Sequence, residues 1–255
     1  MIKIIINGAL GKMGKRITEI ALQDNELEIV GLVDIVEKEI SVLPQLPKVV
    51  SNIEKYINSS DVVIDFSSPE GTINILNFCQ KHKKPVVIGT TGHNEEQTKL
   101  INDVSKEIPI VFSPNMSLGV NLLFKLIDFV TKIFANKDYD IEIIELHHNK
   151  KKDAPSGTAK KIMDIIKTVK PDTNFVFGRN GIVGERKKDE VGVSSIRCGD
   201  IVGEHIVIYS TEGEILELKH TATSRDTFAK GALVAARWIL GKNPGLYNMF
   251  DVLGI

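Results

Sequence analysis

The sequence predicts an α/β protein: a Rossmann-type doubly wound parallel sheet with a second α+β domain built on a mixed sheet. Three observations point there. Short apolar runs alternate with helical patterns as far as about residue 135. The first of those runs leads straight into a glycine-rich turn. Beyond residue 170, several strand-like runs follow one another with no helix between them, as in an antiparallel or mixed sheet.

Residues 2–7 form a short apolar run, which suits a buried parallel strand. Gly8-Ala9-Leu10-Gly11-Lys12-Met13-Gly14 comes next, then a helical pattern through Ile17, Ile20 and Ala21. A second strand, 28–33, ends at Asp34. This is a βαβ unit whose glycines permit a tight turn and let the backbone approach a pyrophosphate at the helix N-terminus. Asp34 stands where a carboxylate meets the adenosine ribose hydroxyls. The spacing is G-x-x-G-x-x-G, and glycines also mark turns for purely structural reasons. The strand before, the helix after and the acid on schedule favour dinucleotide binding. Ile35 occupies the position where an arginine would grip a 2′-phosphate, which favours NADH over NADPH; Lys38 is close enough to blur the preference.

Residues 36–60 are less regular, with Pro44 and Pro47 marking a connection. A strand at 62–66 leads to Ser67-Ser68-Pro69, where either serine can cap a helix that has proline near its first position. The strand at 85–88 ends in Gly89-Thr90-Thr91-Gly92. Ligands of open α/β sheets lie outside the carboxyl ends of strands, so these hydroxyls could meet a nicotinamide ribose or could form a plain turn. A polar helix at 94–106 and a strand at 108–112 lead to Ser113-Pro114-Asn115-Met116-Ser117, again at a strand's carboxyl end, and then to a long apolar helix at 118–135. A helix is expected at 157–168 and strands at 175–177, 191–197, 205–210 and 215–221, with a loop over 178–190. The helical pattern at 225–240 is expected to pack back on the first domain. The predicted division is therefore 1–116 plus 226–255 for dinucleotide binding, and 117–225 for substrate binding and oligomerisation.

Residues 142–159 concentrate the chemistry. A strand carrying Glu142 and Glu145 ends in His147 and His148; Lys150, Lys151 and Lys152 follow, and Pro155-Ser156-Gly157-Thr158 opens a helix. A helix N-terminus offers free N–H groups and a favourable dipole to an anion. Lysines add point charges, and a histidine can donate a proton near neutral pH. Such a turn can hold a small acidic substrate and protonate it. Read singly, the lysines are a solvated charge run and Ser156 an N-cap. No metal is expected, because adjacent strand side chains point to opposite faces and His147 and His148 would not share an ion.

Composition narrows the classes. The chain has 255 residues, 42% apolar and 25% charged, with net charge −1, which gives no basic field for nucleic acid. No apolar run is long enough to span a bilayer, and the N-terminus lacks a signal-peptide layout. Cys79 and Cys198 belong to no paired motif and are read as reduced, core or half-buried thiols of a cytoplasmic protein.

Residues 142–159 also fit the pattern E-I-x-E-x-H-x-x-x-K-x-D-x-P-S-G-T-A, and here the chain resembles the dihydrodipicolinate reductases of bacterial lysine and diaminopimelate synthesis. The glycine loop, Gly89 to Gly92, Ser113 to Ser117, and the blocks at 197–205 and 224–232 resemble the same family, so the likeness covers nearly the whole chain. The resemblance implies NADH- or NADPH-dependent reduction of 4-hydroxy-tetrahydrodipicolinate, without metal, by a homotetramer. It implies that His147 donates the proton, assisted by Lys151. His148, Ser156, Gly157, Thr158 and Arg225 would bind the substrate. Gly8, Ala9, Leu10, Gly11, Lys12, Met13, Asp34, Gly89, Thr90, Thr91, Ser113, Pro114, Asn115 and Met116 would bind the cofactor. Ile35 departs from members that carry arginine there and use both nucleotides. A homoserine dehydrogenase-like enzyme would share the first 115 residues but has no use for 147–158. A non-catalytic dinucleotide sensor would need no proton donor.

Overall fold

The computed structural model describes residues 1–37 and 46–255; Lys38 and Pro44 lie outside them. In chain order the elements are β1 (Ile2–Asn7), α1 (Lys12–Ala21), β2 (Leu27–Val33), β3 (Val49–Val50), α2 (Glu54–Ile57), β4 (Val62–Asp65), α3 (Pro69–Lys81), β5 (Val86–Ile88), α4 (Glu95–Ser105), β6 (Pro109–Phe112), α5 (Leu118–Phe134), β7 (Asp140–His147), α6 (Gly157–Val169), β8 (Asn174–Phe177), β9 (Glu190–Arg197), β10 (Gly203–Thr211), β11 (Glu214–Ala222), α7 (Asp226–Trp238), β12 (Gly245–Tyr247) and α8 (Met249–Leu253). They fall into two compact units, Met1–Leu118 with Arg225–Ile255, and Gly119–Ser224.

In the first unit a parallel sheet runs β12-β6-β5-β4-β1-β2-β3. The order reverses between β1 and β4, which opens a crevice at their carboxyl ends. Ile4, Ile5 and Ile6 are all fully buried because helices cover both faces. Ile4 and Ile6 join Ile17, Ala229, Leu233 and Met249 on one side. Ile5 joins Ile75, Leu76 and Ile101 on the other. That split is the two-residue period of a strand. Each buried isoleucine contributes about 1.5–3 kcal/mol by leaving water. α7 packs on α1, and Arg16 on α1 grips Asp226 on α7 through two bonds of 2.5 and 2.6 Å. Gly231 is required in α7, since a Cβ there would stand 1.8 Å from the Met116 carbonyl oxygen.

α3 starts where Ser68, not Ser67, accepts the Gly71 N–H at 3.1 Å, with Pro69 at the first turn. Ser67 is used elsewhere, as described below. Cys79 is buried and its thiol is pushed up by burial, whereas Cys198 is exposed rather than half-buried.

The second unit is a mixed sheet ordered β11-β10-β7-β9-β8. β9 runs parallel to β7 and β8, and β10 runs antiparallel to β7 and β11. Along β7 the side chains alternate, with Ile141, Ile143, Glu145 and His147 buried and Glu142, Ile144 and Leu146 half-buried. On β10 the matching face carries His205, Val207 and Tyr209, and the Tyr209 hydroxyl meets Thr131 of α5 at 2.7 Å. The stretch read as a loop, 178–190, is tied to the sheet: Arg179 pairs with Glu142 at 3.1 Å and Arg186 with Asp140 at 2.6 Å.

Candidate functional site

In the first unit the predicted nucleotide residues gather at strand carboxyl ends. Gly8 has φ +78°, and a Cβ on it would come within 2.3 Å of the Phe66 carbonyl oxygen, so only glycine allows the β1 and β4 loops to meet. The Gly8 and Ala9 N–H groups donate to the Val33 carbonyl at 2.9 and 3.0 Å. The Leu10 N–H donates to Asp34 Oδ2 at 2.8 Å, which brings the acid and the glycine loop together. Gly11 caps α1 without a side-chain bond, so Gly11, Lys12 and Met13 present a helix start to solvent. Gly89 lies over the Phe66 ring, where a Cβ would sit 2.2 Å from it. Ser113 is buried and its hydroxyl donates to the Asn115 carbonyl at 3.0 Å. Pro114 and Thr91 are exposed and Met116 is buried.

Beneath these loops lies a residue the sequence reading passed over. Asp65, fully buried, accepts from Asn7 Nδ2 at 2.7 Å, Ser67 Oγ at 2.6 Å, Thr72 Oγ1 at 2.5 Å and Thr90 Oγ1 at 2.7 Å. The Ser67 N–H in turn donates to Thr90 Oγ1 at 2.9 Å. One carboxylate thus sets the loops after β1, β4 and β5. An exposed helix start, a glycine turn that admits no side chain, and an acid beside it fit a dinucleotide.

In the second unit the strand face that buries Ile141 and Ile143 continues into Glu145 and His147. His147 Nδ1 lies 2.5 Å from Glu145 Oε2. Arg197, paired with His147 in the β7–β9 register, clasps the same carboxylate through bonds of 2.9 and 2.7 Å. The Ser156 N–H donates to Glu145 Oε1 at 3.1 Å. Ser156 Oγ accepts the Ala159 N–H at 3.2 Å, capping α6, and meets His205 Nε2 at 2.9 Å. Gly157 opens α6 with nothing within 4 Å of a would-be Cβ, and Thr158 follows it half-buried. Lys151 is in the same turn, paired with Asp153 at 2.9 Å, and His148 is half-buried beside it. The structure therefore brings together His147, His148, Lys151, Ser156, Gly157 and Thr158. Arg225 belongs to the first unit, exposed at the start of α7.

The electrostatics follow from burial and pairing. Burial pushes the Glu145 carboxyl up, but the hydrogen bonds from Arg197, His147 and Ser195 outweigh it and hold the group down at about 2. Burial lowers the His147 imidazole; Glu145 pulls it up, while Lys151 and Arg197 push it down. Burial, helped by the charge of His147, lowers His205 to about 4. Glu145, Arg197 and His205 escaped the sequence reading of the site. Their only local signal was a carboxylate two residues before the histidine, on the same strand face. Among the described residues no group of three or more His, Cys, Asp or Glu could hold a metal ion, and no helix is long and apolar enough to cross a membrane.

Comparison with known proteins bears on both units. Residues 2–116 match the family described as "Dihydrodipicolinate reductase, N-terminus", and residues 119–253 match "Dihydrodipicolinate reductase, C-terminus". The chain is similar to the 4-hydroxy-tetrahydrodipicolinate reductase of Aquifex aeolicus, 46% identical over 100% of this chain and 99% of that one. It is 44% identical to that of Hahella chejuensis over the full length of both. Among solved structures it resembles the dipicolinate-bound dihydrodipicolinate reductase from Paenisporosarcina sp. TG-14, with TM-score 0.80, 25% identity and 98% of each chain covered. A more distant likeness of fold alone is to a Corynebacterium glutamicum diaminopimelate dehydrogenase, with TM-score 0.56 and 13% identity, covering 98% of this chain and 93% of that one. With both halves and the full length matched, the chain belongs to the dihydrodipicolinate reductase family.

Proposed function

We propose that the protein is an oxidoreductase of amino-acid biosynthesis. It reduces 4-hydroxy-tetrahydrodipicolinate, by way of dihydrodipicolinate, to tetrahydrodipicolinate and water. The observation that carries this reading is a histidine locked to a buried carboxylate beside a lysine and a capped helix start. When bound, the reduced nicotinamide supplies the hydride that adds at C4 of the ring. Electron density then moves towards C3 and the ring nitrogen, and His147 supplies the balancing proton. Lys151 and the N–H groups of Gly157 and Thr158, with the Ser156 side chain beside them, hold the substrate carboxylates and orient the ring, with His148 alongside and Arg225 as a further carboxylate ligand. Gly8 to Met13 receive the pyrophosphate at the start of α1, and Asp34 the adenosine ribose. Gly89 to Thr91 and Ser113 to Met116 line the nicotinamide side.

NADH is the preferred nucleotide in this reading. Ile35 is 92% exposed beside Asp34, where an arginine would be needed to neutralise a 2′-phosphate. Residues 1–116 with 226–255 bind the nucleotide, and 117–225 bind substrate and assemble the oligomer. The assembly is a homotetramer, formed through the mixed sheet. The sheet face opposite His205 and Tyr209 carries Ile144, Leu146, Ile196, Ile206 and Ile208, and Ile196 is 42% exposed. Such an apolar face suits a self-complementary contact. The enzyme works in the cytoplasm, where reduced nucleotide is available.

The test supplies the substrate in situ from aspartate semialdehyde and pyruvate through the synthase, and follows NADH and NADPH oxidation separately. Substrate-dependent loss of absorbance, with the larger kcat/KM for NADH, is expected. If both nucleotides bind and neither is consumed, the catalytic reading falls and a nucleotide sensor takes its place.

A further inference from the structure

The second unit holds a buried carboxylate to which the reaction above assigns no step. Glu145 has no exposed side-chain surface, yet it meets four partners: His147 Nδ1, the Arg197 guanidinium, the Ser156 N–H and Ser195. A carboxylate this well paired stays ionised and only accepts hydrogen bonds. The proton between it and His147 therefore resides on Nδ1. That leaves Nε2 as the one ring nitrogen able to gain and lose a proton. Around Nε2 the structure has made room. A Cβ on Gly203 would sit 3.1 Å from Nε2 and 3.4 Å from Cδ2, tight enough to press on the ring. Gly203 does not carry a positive φ, so the backbone there does not itself call for glycine.

We infer that Glu145 is a positioning residue that pins His147 through Nδ1 and assigns the transferred proton to Nε2, and that Gly203 keeps the approach to Nε2 open. This rests on His147 being the proton donor. In the step, the imidazolium Nε2–H bond breaks as the C3–H bond of the ring forms, and the bonding pair stays on Nε2. The ring is left neutral with its proton on Nδ1, held by Glu145, and water later restores the proton at Nε2. Arg197 has the supporting part of keeping the carboxylate ionised and in place. Because Glu145 Oε1 also holds the Ser156 N–H, the same group ties the donor to the turn proposed to grip the substrate carboxylate. The charged and titratable groups facing His147 are Glu145, Arg197, Lys151 and His205; only the first favours its protonated form.

The experiment has three arms. In the wild-type protein with ¹⁵N-labelled histidine, long-range ¹H–¹⁵N spectra should show neutral His147 protonated on Nδ1. A neutral form protonated on Nε2 overturns the proposal without any variant. Glu145→Gln should lower kcat about 100-fold, leave NADH affinity unchanged and move the alkaline limb of the kcat profile to lower pH, since the imidazolium loses its stabilising charge. Retained kcat with an unmoved limb overturns it. Gly203→Ala should lower kcat about 10-fold with the Nδ1–H form intact; full turnover removes Gly203 from the role. His147→Gln is assayed alongside. If it turns over like wild type, the donor reading itself has failed, which is a different result from an insensitive Glu145.

Discussion

Among the described residues, each unit of the molecule buries one carboxylate beneath its candidate functional loops, and the two are satisfied in opposite ways. Asp65, in the parallel sheet, is surrounded by neutral donors from Asn7, Ser67, Thr72 and Thr90. Glu145, in the mixed sheet, is matched to a guanidinium and an imidazole. The neutral cage suits a scaffold: it fixes the backbone of loops proposed to wrap a nucleotide and carries no proton that needs to move. The ionic cluster suits a reaction: it contains a group that changes charge and a counter-ion that makes the change tolerable. A buried carboxylate is thus a different device according to whether its partners can titrate.

The largest effect should come from breaking the ionic cluster. Arg197→Ala removes the cation and leaves Glu145 buried, which should cost about 3–5 kcal/mol in urea unfolding. A loss below about 1 kcal/mol would mean that the pair behaves like a surface ion pair. Breaking the neutral cage should cost less. Asp65→Asn replaces one acceptor oxygen by a donor, and hydroxyls can turn to accommodate it, so a loss of about 1–3 kcal/mol is expected with weakened NADH affinity and unchanged ring protonation at His147. Unaltered NADH affinity would reduce Asp65 to a core residue.

Acid sharpens the contrast further. His205 is held down at about 4, so between its ordinary value near 6.5 and about 4 the unfolded chain binds the extra proton and stability falls as pH falls. Glu145, held at about 2, gives a contribution that is complete above its ordinary value near 4.5 and is lost as pH drops towards 2. Both signs agree, so amide protection of β7 and β10 should decline from pH 6.5 downwards. A decline that begins in β1 and β4 instead would contradict the assignment.

What was legible in the sequence divides along physical lines. Strands with both faces covered show as apolar runs, and the glycine turn shows as spacing, so the parallel sheet and the turn after β1 could be read directly. β3, α2, β12 and α8 could not, because these short elements lack the run of three β-branched residues that marks β4 and β5. His147, Lys151 and Ser156 lie within one turn and were readable together. Arg197 and His205 come from strands about fifty residues further on, and only the β7–β9 and β7–β10 register delivers them to Glu145. Asp65 passed unnoticed for the same reason: its donors come from β1, α3 and the loops after β4 and β5.

The return of the chain through α7 also bears on how the protein is made. Ala229, Ala232, Leu233, Ala236 and Ile239 complete one of the two apolar layers on the parallel sheet. During synthesis, β1 to β6 leave the ribosome well before those residues exist, because 119–224 must be translated in between. At usual elongation speeds that interval is on the order of ten seconds. For that time Ile4, Ile6 and Ile17 face a missing wall, and the nascent sheet offers a greasy flank to any holdase waiting at the tunnel exit.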